Sequence, residues 1–311
     1  RTHTLYFGSY CPFYNQPIRQ KREEYSMNEY EKTGYLNSNF KIFHLLDEKM
    51  TPIDFHFHDF HKILLLMKGN VSYCVEGRTY DLKPGDIVFV PAGEVHRPIL
   101  HDTSVYERII IYISKDYLAD YRTDSYDLAQ CLIEAHRKQS HVLRVPAFGT
   151  TKLGQIVREL EQSLDSTEYA YELYHNLLFL EFMIELNRVA IHDGIEYLAN
   201  SSSNKKMIDV IDYLNEHLTD DISIDSLAET FFLSRYHLMH AFKEETGYTI
   251  GNYLTTKRLL LARDLIQQGR PITNVCYECG FRNYSTFSRA YKKNFGSSPR
   301  EQFHQQTAHS K

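Results

Sequence analysis

Two stretches decide the fold, ISIDSLAETFFLSRYHLMHAFKEETG (222–247) and ITNVCYECGFRNYSTFSRAYKKNFG (272–296), because they carry the same pattern twice. In the first copy Leu238, Phe242 and Gly247 are spaced by four and then five residues. The positions with the same spacing in the second copy are Phe287, Tyr291 and Gly296. An apolar pair at i and i+4 shares one helical face, and a glycine after it is typical of a helix end. The pattern predicts two helix-turn-helix units in tandem.

The residues around these pairs complete each unit. Each second helix is preceded by a side chain suited to an N-cap, Ser234 in the first copy and Asn283 in the second. Short apolar sets predict the first helices: Ile224, Leu227 and Ala228, then Ile272, Val275 and Cys276. Between the copies, residues 252–268 place their apolar positions on one stripe. We therefore predict a linker helix that holds the two units at the fixed separation needed for two adjacent major grooves.

Charge favours DNA binding locally and not globally. Residues 204–311 carry 14 Lys and Arg against 12 Asp and Glu, a net charge of only +2. Residues 280–300 carry no acid, and their bases are Arg282, Arg289, Lys292, Lys293 and Arg300. This one-sign face suits phosphates, and the alternative, a solvated helical face, is disfavoured by the duplicated pattern.

The string GFRNYSTFSRAYKKNFGSSP (280–299) resembles the second helix-turn-helix of AraC-type transcription regulators. Tyr291 and Cys276 stand where the family more often has Phe and Ala. The resemblance implies that the first unit reads bases with Arg235, Tyr236, Met239 and His240, with Lys243 near phosphate. It also assigns DNA-contacting positions in the second unit: Arg282, Asn283, Tyr284, Ser285, Thr286, Arg289, Lys292 and Lys293.

Length and composition bound the rest of the chain. A chain of 311 residues with 42% hydrophobic and 24% charged residues predicts two domains with ample core. No apolar run reaches membrane length and no secretion signal is evident, so we expect a cytoplasmic protein. The predicted divisions are an arm at 1–34, a barrel at 35–115, a helical dimerisation segment at 116–199, a flexible linker at 200–206 and the DNA-binding domain at 207–311.

Short alternating strands separated by turns predict a small β-barrel or jelly roll in the first half. The predicted strands are 62–67, 71–75, 86–90 and 108–113, with turns at 76–77 and 84–85. Here His56-x-His58 and the string from Gly85 to His96 resemble the two cupin motifs. The predicted fold class is α+β, a cupin-like barrel with flanking helices followed by an all-α double helix-turn-helix domain.

The barrel motifs predict an effector site formed by His56, His58, Lys62 and His96, because strand alternation brings the first three to one face. Metal-binding cupins carry Glu at the place of Lys62. An ammonium there repels a divalent cation by roughly 4 kcal/mol per unit charge at ~4 Å and an effective dielectric of ~20. We therefore predict no metal, no cofactor and no catalytic residue. Three readings stay open: a metal-free small-molecule pocket, structural histidines and a weak metal site.

The remaining segments concern association and redox chemistry. Leu153, Ile156, Val157, Leu160 and Leu164 form one helical stripe, and residues 177–186 are apolar on nearly every side, which predicts a dimer interface. Cys276 and Cys279 form a C-x-x-C without further nearby ligands, so we interpret them as packing thiols rather than a redox or metal site.

The expectation for the whole chain is a transcription regulator that responds to a small molecule such as a sugar or sugar acid. Its partners would be duplex operator DNA, the effector, a second copy of the chain and RNA polymerase. The alternative is a metal-dependent cupin enzyme fused to a nucleic-acid-binding domain.

Overall fold

The structure of the chain is a computed structural model that describes residues 36, 38–48, 52–164, 166–192, 195–202 and 204–309. The strands, in chain order, are β1 Phe40–Asp47, β2 His61–Lys68, β3 Val71–Val75, β4 Arg78–Asp81, β5 Asp86–Val90, β6 His96–Leu100, β7 Tyr106–Ile113, β8 Val142–Arg144 and β9 Glu196–Tyr197. They form two sheets of order β1-β7-β2-β5-β8-β9 and β4-β3-β6. The predicted arm at 1–34 lies outside the described residues.

Helices follow and interrupt the strands. In the first half they are α1 Lys115–Ala119, α2 Gln130–Arg137, α3 Lys152–Ser163 and α4 Tyr171–Ala190, with a short 3-10 turn at Phe148–Thr150. In the second half they are α5 Lys205–Glu216, α6 Ile224–Thr230, α7 Arg235–Thr246, α8 Ile250–Gln267, α9 Ile272–Glu278, α10 Tyr284–Phe295 and α11 Pro299–His309. None of the helices within the described ranges is long and apolar enough to cross a membrane.

The six-stranded sheet has two different faces because successive strand residues point to opposite sides. Ile63 and Leu65 of β2, with Ile109, Ile111 and Ile113 of β7, pack in a core shared with α2, α3 and α4. Lys62 lies on the other face and is paired across the strands with Tyr112. Alternation therefore turns Lys62 away from the helix-packed core.

The predicted α+β architecture, with a β-rich first half flanked by helices and a helical second half, is confirmed. All four predicted strands are present, and β2 and β7 are each two residues longer than predicted. Five strands escaped prediction. Two of them, β8 and β9, lie in the segment predicted to be helical and join the large sheet beside β5. Strands of three and two residues are too short to show an alternating pattern, which explains the omission.

The described residues of the predicted linker at 200–206 make several hydrogen bonds. The Thr79 amide donates to the Asn200 side-chain oxygen at 2.9 Å, and the Ser201 amide donates to the Thr79 carbonyl at 2.8 Å. Helix α5 then begins at Lys205, capped by Asn204. These hydrogen bonds attach both flanks of the segment to ordered structure, whereas Ser203 lies outside the described residues.

The two helix-turn-helix units form as predicted. Helix α7 begins after Ser234, whose side chain accepts from the His237 amide, and α10 begins after Asn283, which accepts from the Thr286 amide. Both helices end at a glycine in the left-handed region, Gly247 with φ 74° and Gly296 with φ 76°. Helix α8 is the predicted linker helix and begins two residues earlier than expected.

Candidate functional site

Three histidines and a lysine meet inside the barrel. The ring centroids of His56 and His96 lie 4.3 Å apart, and that of His58 lies 5.1 and 5.2 Å from those two. Lys62 Nζ lies 3.5 Å from His96 Nε2. Lys62 is 2% exposed and His96 is fully buried. The structure therefore brings together all four residues that the sequence predicted for this site.

Backbone carbonyls orient two of the imidazoles. His56 Nδ1 lies 2.8 Å from the Asp54 carbonyl, and His96 Nδ1 lies 2.9 Å from the Glu94 carbonyl. A carbonyl can only accept, so in both rings Nδ1 carries the proton and, in the neutral ring, Nε2 is an acceptor. Lys62 can then donate to His96 Nε2. The site thus combines neutral imidazole acceptors with a cationic donor.

The histidines are held in the neutral form. Burial, with the charge of Lys62 as the next cause, lowers the pKa of His56 to about 4. The same two causes, in the same order, hold the pKa values of His58 and His96 well below the usual range. At neutral pH the three imidazoles are therefore uncharged.

Aromatic rings form the walls of the site. The Phe60 ring stacks on His58 with centroids 4.6 Å apart, and Tyr112 lies 4.5 Å from Phe60. Lys62 Nζ lies 5.7 Å from the centroid of Tyr73. Tyr73 and Tyr112 were not among the predicted residues. Strand alternation could have indicated Tyr112, but the cross-strand register that places it beside Lys62 is not visible in the sequence.

The same cluster can be tested against a divalent metal. One ligand atom from each of His56, His58 and His96 lies within 4.8 Å of the others, which suits a three-histidine site. The Lys62 ammonium approaches one of those ligand nitrogens, and a cation at that distance opposes a second cation. The residues present therefore do not fit a divalent metal.

The predicted DNA-reading residues fall into two groups. Arg235, Tyr236, Met239, His240 and Lys243 are all exposed along α7, with Tyr236 76% exposed. In the second unit Arg282, Ser285, Thr286, Arg289, Lys292 and Lys293 are exposed. Both reader helices therefore present their predicted contact residues to solvent.

Several of these residues have local partners, and Arg235, for example, pairs with Asp225 at 3.2 Å. The side-chain oxygen of Asn283 accepts the Thr286 amide at 2.8 Å, so the residue is already engaged as a helix cap. Arg282 pairs with Asp221 at 2.6 Å. Tyr284 is half-buried, with its ring 6.0 Å from that of Phe287. Base reading by Asn283 or Tyr284 stays a prediction.

The C-x-x-C pair lies in the core of the second unit. Cys276 and Cys279 are fully buried and free, beside Phe287 and Tyr291. Burial raises the pKa of both thiols, that of Cys279 to about 12. Within the described residues no cluster of three metal-ligating groups includes them. These observations favour the interpretation as packing thiols.

The fold and these two sites define a class of protein that joins a small-molecule-binding barrel to a double helix-turn-helix reader. Two family models match the chain: the AraC-like ligand binding domain over residues 49–182 and a helix-turn-helix domain over residues 227–305. Together they cover about two thirds of the sequence. The chain is a member of the AraC-type transcription regulators.

Several relatives and solved structures are similar to the chain. The HTH-type transcriptional activator RhaS of Enterobacter sp. (strain 638) is 27% identical over 253 residues, which are 79% of this chain and 86% of that protein. RhaS of Escherichia coli (strain SMS-3-5 / SECEC) is 27% identical over 271 residues, 82% of this chain and 90% of that protein. A fatty-acid-bound structure of ToxT from Vibrio cholerae matches 86% of this chain and 95% of ToxT at 15% identity and a TM-score of 0.37.

Proposed function

We propose that the chain is a ligand-responsive transcription regulator whose effector binds between His56, His58, Lys62 and His96. The observation that carries this proposal is the pairing of neutral imidazole acceptors with a buried ammonium. Hydroxyl groups can donate to such imidazoles, and a carboxylate or phosphate can accept from Lys62. The matching class of ligand is a polyhydroxylated molecule with or without an acid group, such as a sugar or a sugar acid.

A thermal-shift screen of the full chain against sugars, sugar acids and sugar phosphates tests this assignment. A ligand of the folded state raises the melting temperature by an amount that grows with the logarithm of its concentration relative to Kd. We expect the shift to vanish in Lys62→Met and to persist in Lys68→Met, because Lys68 lies exposed on the same strand. A hit that shifts both variants equally would place the effector elsewhere.

Metal binding at the same site needs a separate test, because three histidines converge there. We expect the purified and dialysed chain to contain far less than one transition metal per molecule, because Lys62 is cationic. Lys62→Glu replaces that charge with a carboxylate and should create or strengthen metal binding. Elemental analysis giving one metal per unaltered chain would contradict the charge argument.

The double helix-turn-helix domain is proposed to bind duplex DNA across two successive major grooves. Support comes from the exposed contact residues on α7 and α10 and from the single helix α8 that joins the two units. Selection from a random duplex library with the full chain, followed by footprinting, would define the operator. We expect protection over two adjacent grooves and an affinity that falls steeply with salt. Protection of a single groove would contradict this arrangement.

The outer face of α4 is proposed to pair with a second copy of the chain. Leu173, Leu177 and Ile184 follow one another at steps of four and seven residues and are all exposed, Leu177 by 55%. A stripe with this spacing can pair with itself around a two-fold axis. Leu177→Glu should therefore yield monomers in sedimentation, whereas Leu46→Glu, at an exposed leucine on β1, should leave the assembly unchanged.

The remaining expectations concern location and further partners. A regulator that binds DNA and a small molecule would work in the cytoplasm, with RNA polymerase as a further partner. The alternative of a cupin enzyme is disfavoured by Lys62, since its charge opposes the metal that such an enzyme would use.

A further inference from the structure

Two extended segments carry the histidines into the site and are bonded directly to each other. The His56 amide donates to the His96 carbonyl at 3.1 Å, and the His96 amide donates to the His56 carbonyl at 2.8 Å. This pair forms an isolated antiparallel bridge between His56 and the first residue of β6. We call residues 55–58 and 94–96 the histidine ladder.

The alternate residues of the histidine ladder pack in the DNA-binding domain. Val95 is buried in the core of the first helix-turn-helix unit, and Phe55 and Phe57 pack against that core. Phe55 packs closely on Gly247, the glycine that ends reader helix α7. The contact is so close that a Cβ added at Gly247 would lie only 2.7 Å from the Cβ of Phe55. A movement of the histidines must therefore also move side chains that support the first reader.

Glu76 joins the histidine ladder to the linker helix α8. This residue occupies the β3–β4 turn with φ 48° and is only 3% exposed. Glu76 Oε1 accepts from the Val95 amide at 2.7 Å and from Lys257 Nζ at 2.7 Å. Tyr253 donates a short hydrogen bond to the other carboxylate oxygen.

The charge of Glu76 is retained despite its burial. Burial alone would raise the pKa of this carboxyl, but the Lys257 charge and the hydrogen bonds from Lys257, Tyr253 and the Val95 amide outweigh it and lower the pKa. The sequence showed Glu76 only as part of a turn, so this role was not predicted. Three hydrogen-bond donors hold this buried carboxylate in a fixed position.

The barrel contacts α8 along a single stripe. Tyr253, Lys257, Leu260 and Asp264 follow one another at steps of four, three and four residues, which lie on one helical face. Leu260 lies against Gly93, and Asp264 pairs with Lys115 of the barrel. Because α8 also carries both reader units, this stripe is one of the contacts that position the units relative to the barrel.

We infer that Glu76 is a positioning residue that couples the proposed effector site to the linker helix through the histidine ladder. The inference rests on the proposed function for the identity of the site. A ligand that displaces His56 or His96 shifts Val95, and Val95 shares the Glu76 carboxylate with Tyr253 and Lys257. Ligand binding thereby changes the stability of the contact between α8 and the barrel.

Hydrogen exchange of the full chain tests this coupling without DNA or effector. Four proteins are compared: the unaltered chain, Lys62→Met, Glu76→Gln and the double variant. Lys62→Met disturbs the histidine cluster without replacing any residue of the histidine ladder or of the α8 stripe. We expect it to accelerate exchange in the amides of residues 250–260 by at least about fivefold, the lower end of typical coupling between sites. In the Glu76→Gln background the same change should add little.

Control variants distinguish this coupling from a general loss of stability. Lys68→Met changes an exposed lysine on the same strand and should leave exchange in residues 250–260 unchanged. The amides of α10 lie outside the α8 stripe that contacts the barrel, and they serve as an internal reference. If Glu76→Gln does not fold, Tyr253→Phe removes one hydrogen bond to the same carboxylate and replaces it in the set.

Two results would overturn the inference. One is an unchanged rate in residues 250–260 on Lys62→Met, and the other is an equal acceleration in both backgrounds. The proposed function fails differently, by the absence of salt-dependent duplex binding or of any stabilising ligand. The two failures are therefore distinguishable.

Discussion

The two helix-turn-helix units are built from one sequence pattern but have different surroundings. The core of the first unit includes Val95 of the barrel, with Phe55 and Phe57 packed against it. The core of the second unit contains only residues from the linker helix onward, between Leu259 and Phe303. Within the described residues, the core of the first unit is thus continuous with the sensor, whereas the core of the second unit includes no residue of the sensor.

This difference indicates that the two units have different roles, although the repeated sequence pattern alone would assign both units the same role. The second unit has an acid-free reader helix with Arg289, Lys292 and Lys293, which favours a strong hold on phosphates. The first has Glu244 and Glu245 near the end of its reader helix and lies against the histidine ladder. We expect the second unit to anchor the chain on DNA and the first to respond to the effector.

The largest expected effect comes from the matched core residues Phe242 and Phe287, both fully buried. Truncating either to alanine should cost about 3–5 kcal/mol of unfolding free energy through lost burial and a residual cavity. Phe242→Ala should also accelerate hydrogen exchange in residues 94–96 of the barrel, whereas Phe287→Ala should not. Equal effects on those barrel amides would remove the difference between the units.

The second prediction uses pH. In the folded chain the pKa of His56 is about 4, against an ordinary value of 6.5, so folding favours the neutral ring. The stabilisation is complete above pH 6.5 and is lost as the pH falls from about 6.5 to about 4, because the unfolded chain then binds the proton first. The shift is worth on the order of 3 kcal/mol. His58 and His96 act in the same direction.

Urea unfolding between pH 7.5 and pH 4.5 measures this loss. We expect His56→Gln to show a flatter dependence on pH than the unaltered chain, and His237→Gln, at an exposed histidine of α7, to retain the original dependence. Hydrogen exchange at pH 5 should increase in the first unit before the second. Hydrogen exchange that increases first in the second unit would contradict our assignment of the first unit as the one coupled to the histidine cluster.

Local patterns in the sequence explain which features could be predicted. The paired apolar residues, the N-caps and the glycine ends lie within a few residues of one another, so both units and the linker helix followed from the sequence. The clustering of His56, His58, Lys62 and His96 followed from the cupin-like motifs and strand alternation. Glu76, Tyr253 and Lys257 did not, because Glu76 is separated from the other two by more than 170 residues. Strands β8 and β9 were too short to give a pattern.

The third prediction compares single side chains on DNA. If Arg289 reads a base, Arg289→Ala should weaken binding to the selected operator by about 1–3 kcal/mol and relax the preference at one position. Lys293→Ala should weaken all sequences alike and reduce the salt dependence. Affinities measured against the operator and a scrambled duplex distinguish the two. Loss of sequence preference in Lys293→Ala would reverse these roles.

The smallest expected effect concerns the caps of the two reader helices. Ser234 and Asn283 each accept a backbone amide three residues ahead, at 3.2 and 2.8 Å. Replacing either by alanine removes one acceptor and should cost ~1 kcal/mol of helix stability. Because both caps are exposed and local, we expect nearly equal losses of unfolding free energy in urea. This contrasts with Phe242→Ala and Phe287→Ala, for which we expect unequal effects on hydrogen exchange in the barrel. A further loss of DNA sequence preference in Asn283→Ala, without one in Ser234→Ala, would show that Asn283 leaves its cap to read a base. Equal losses with unchanged preference would confine Asn283 to the role of a cap and leave base reading in the second unit to Ser285, Thr286 and Arg289.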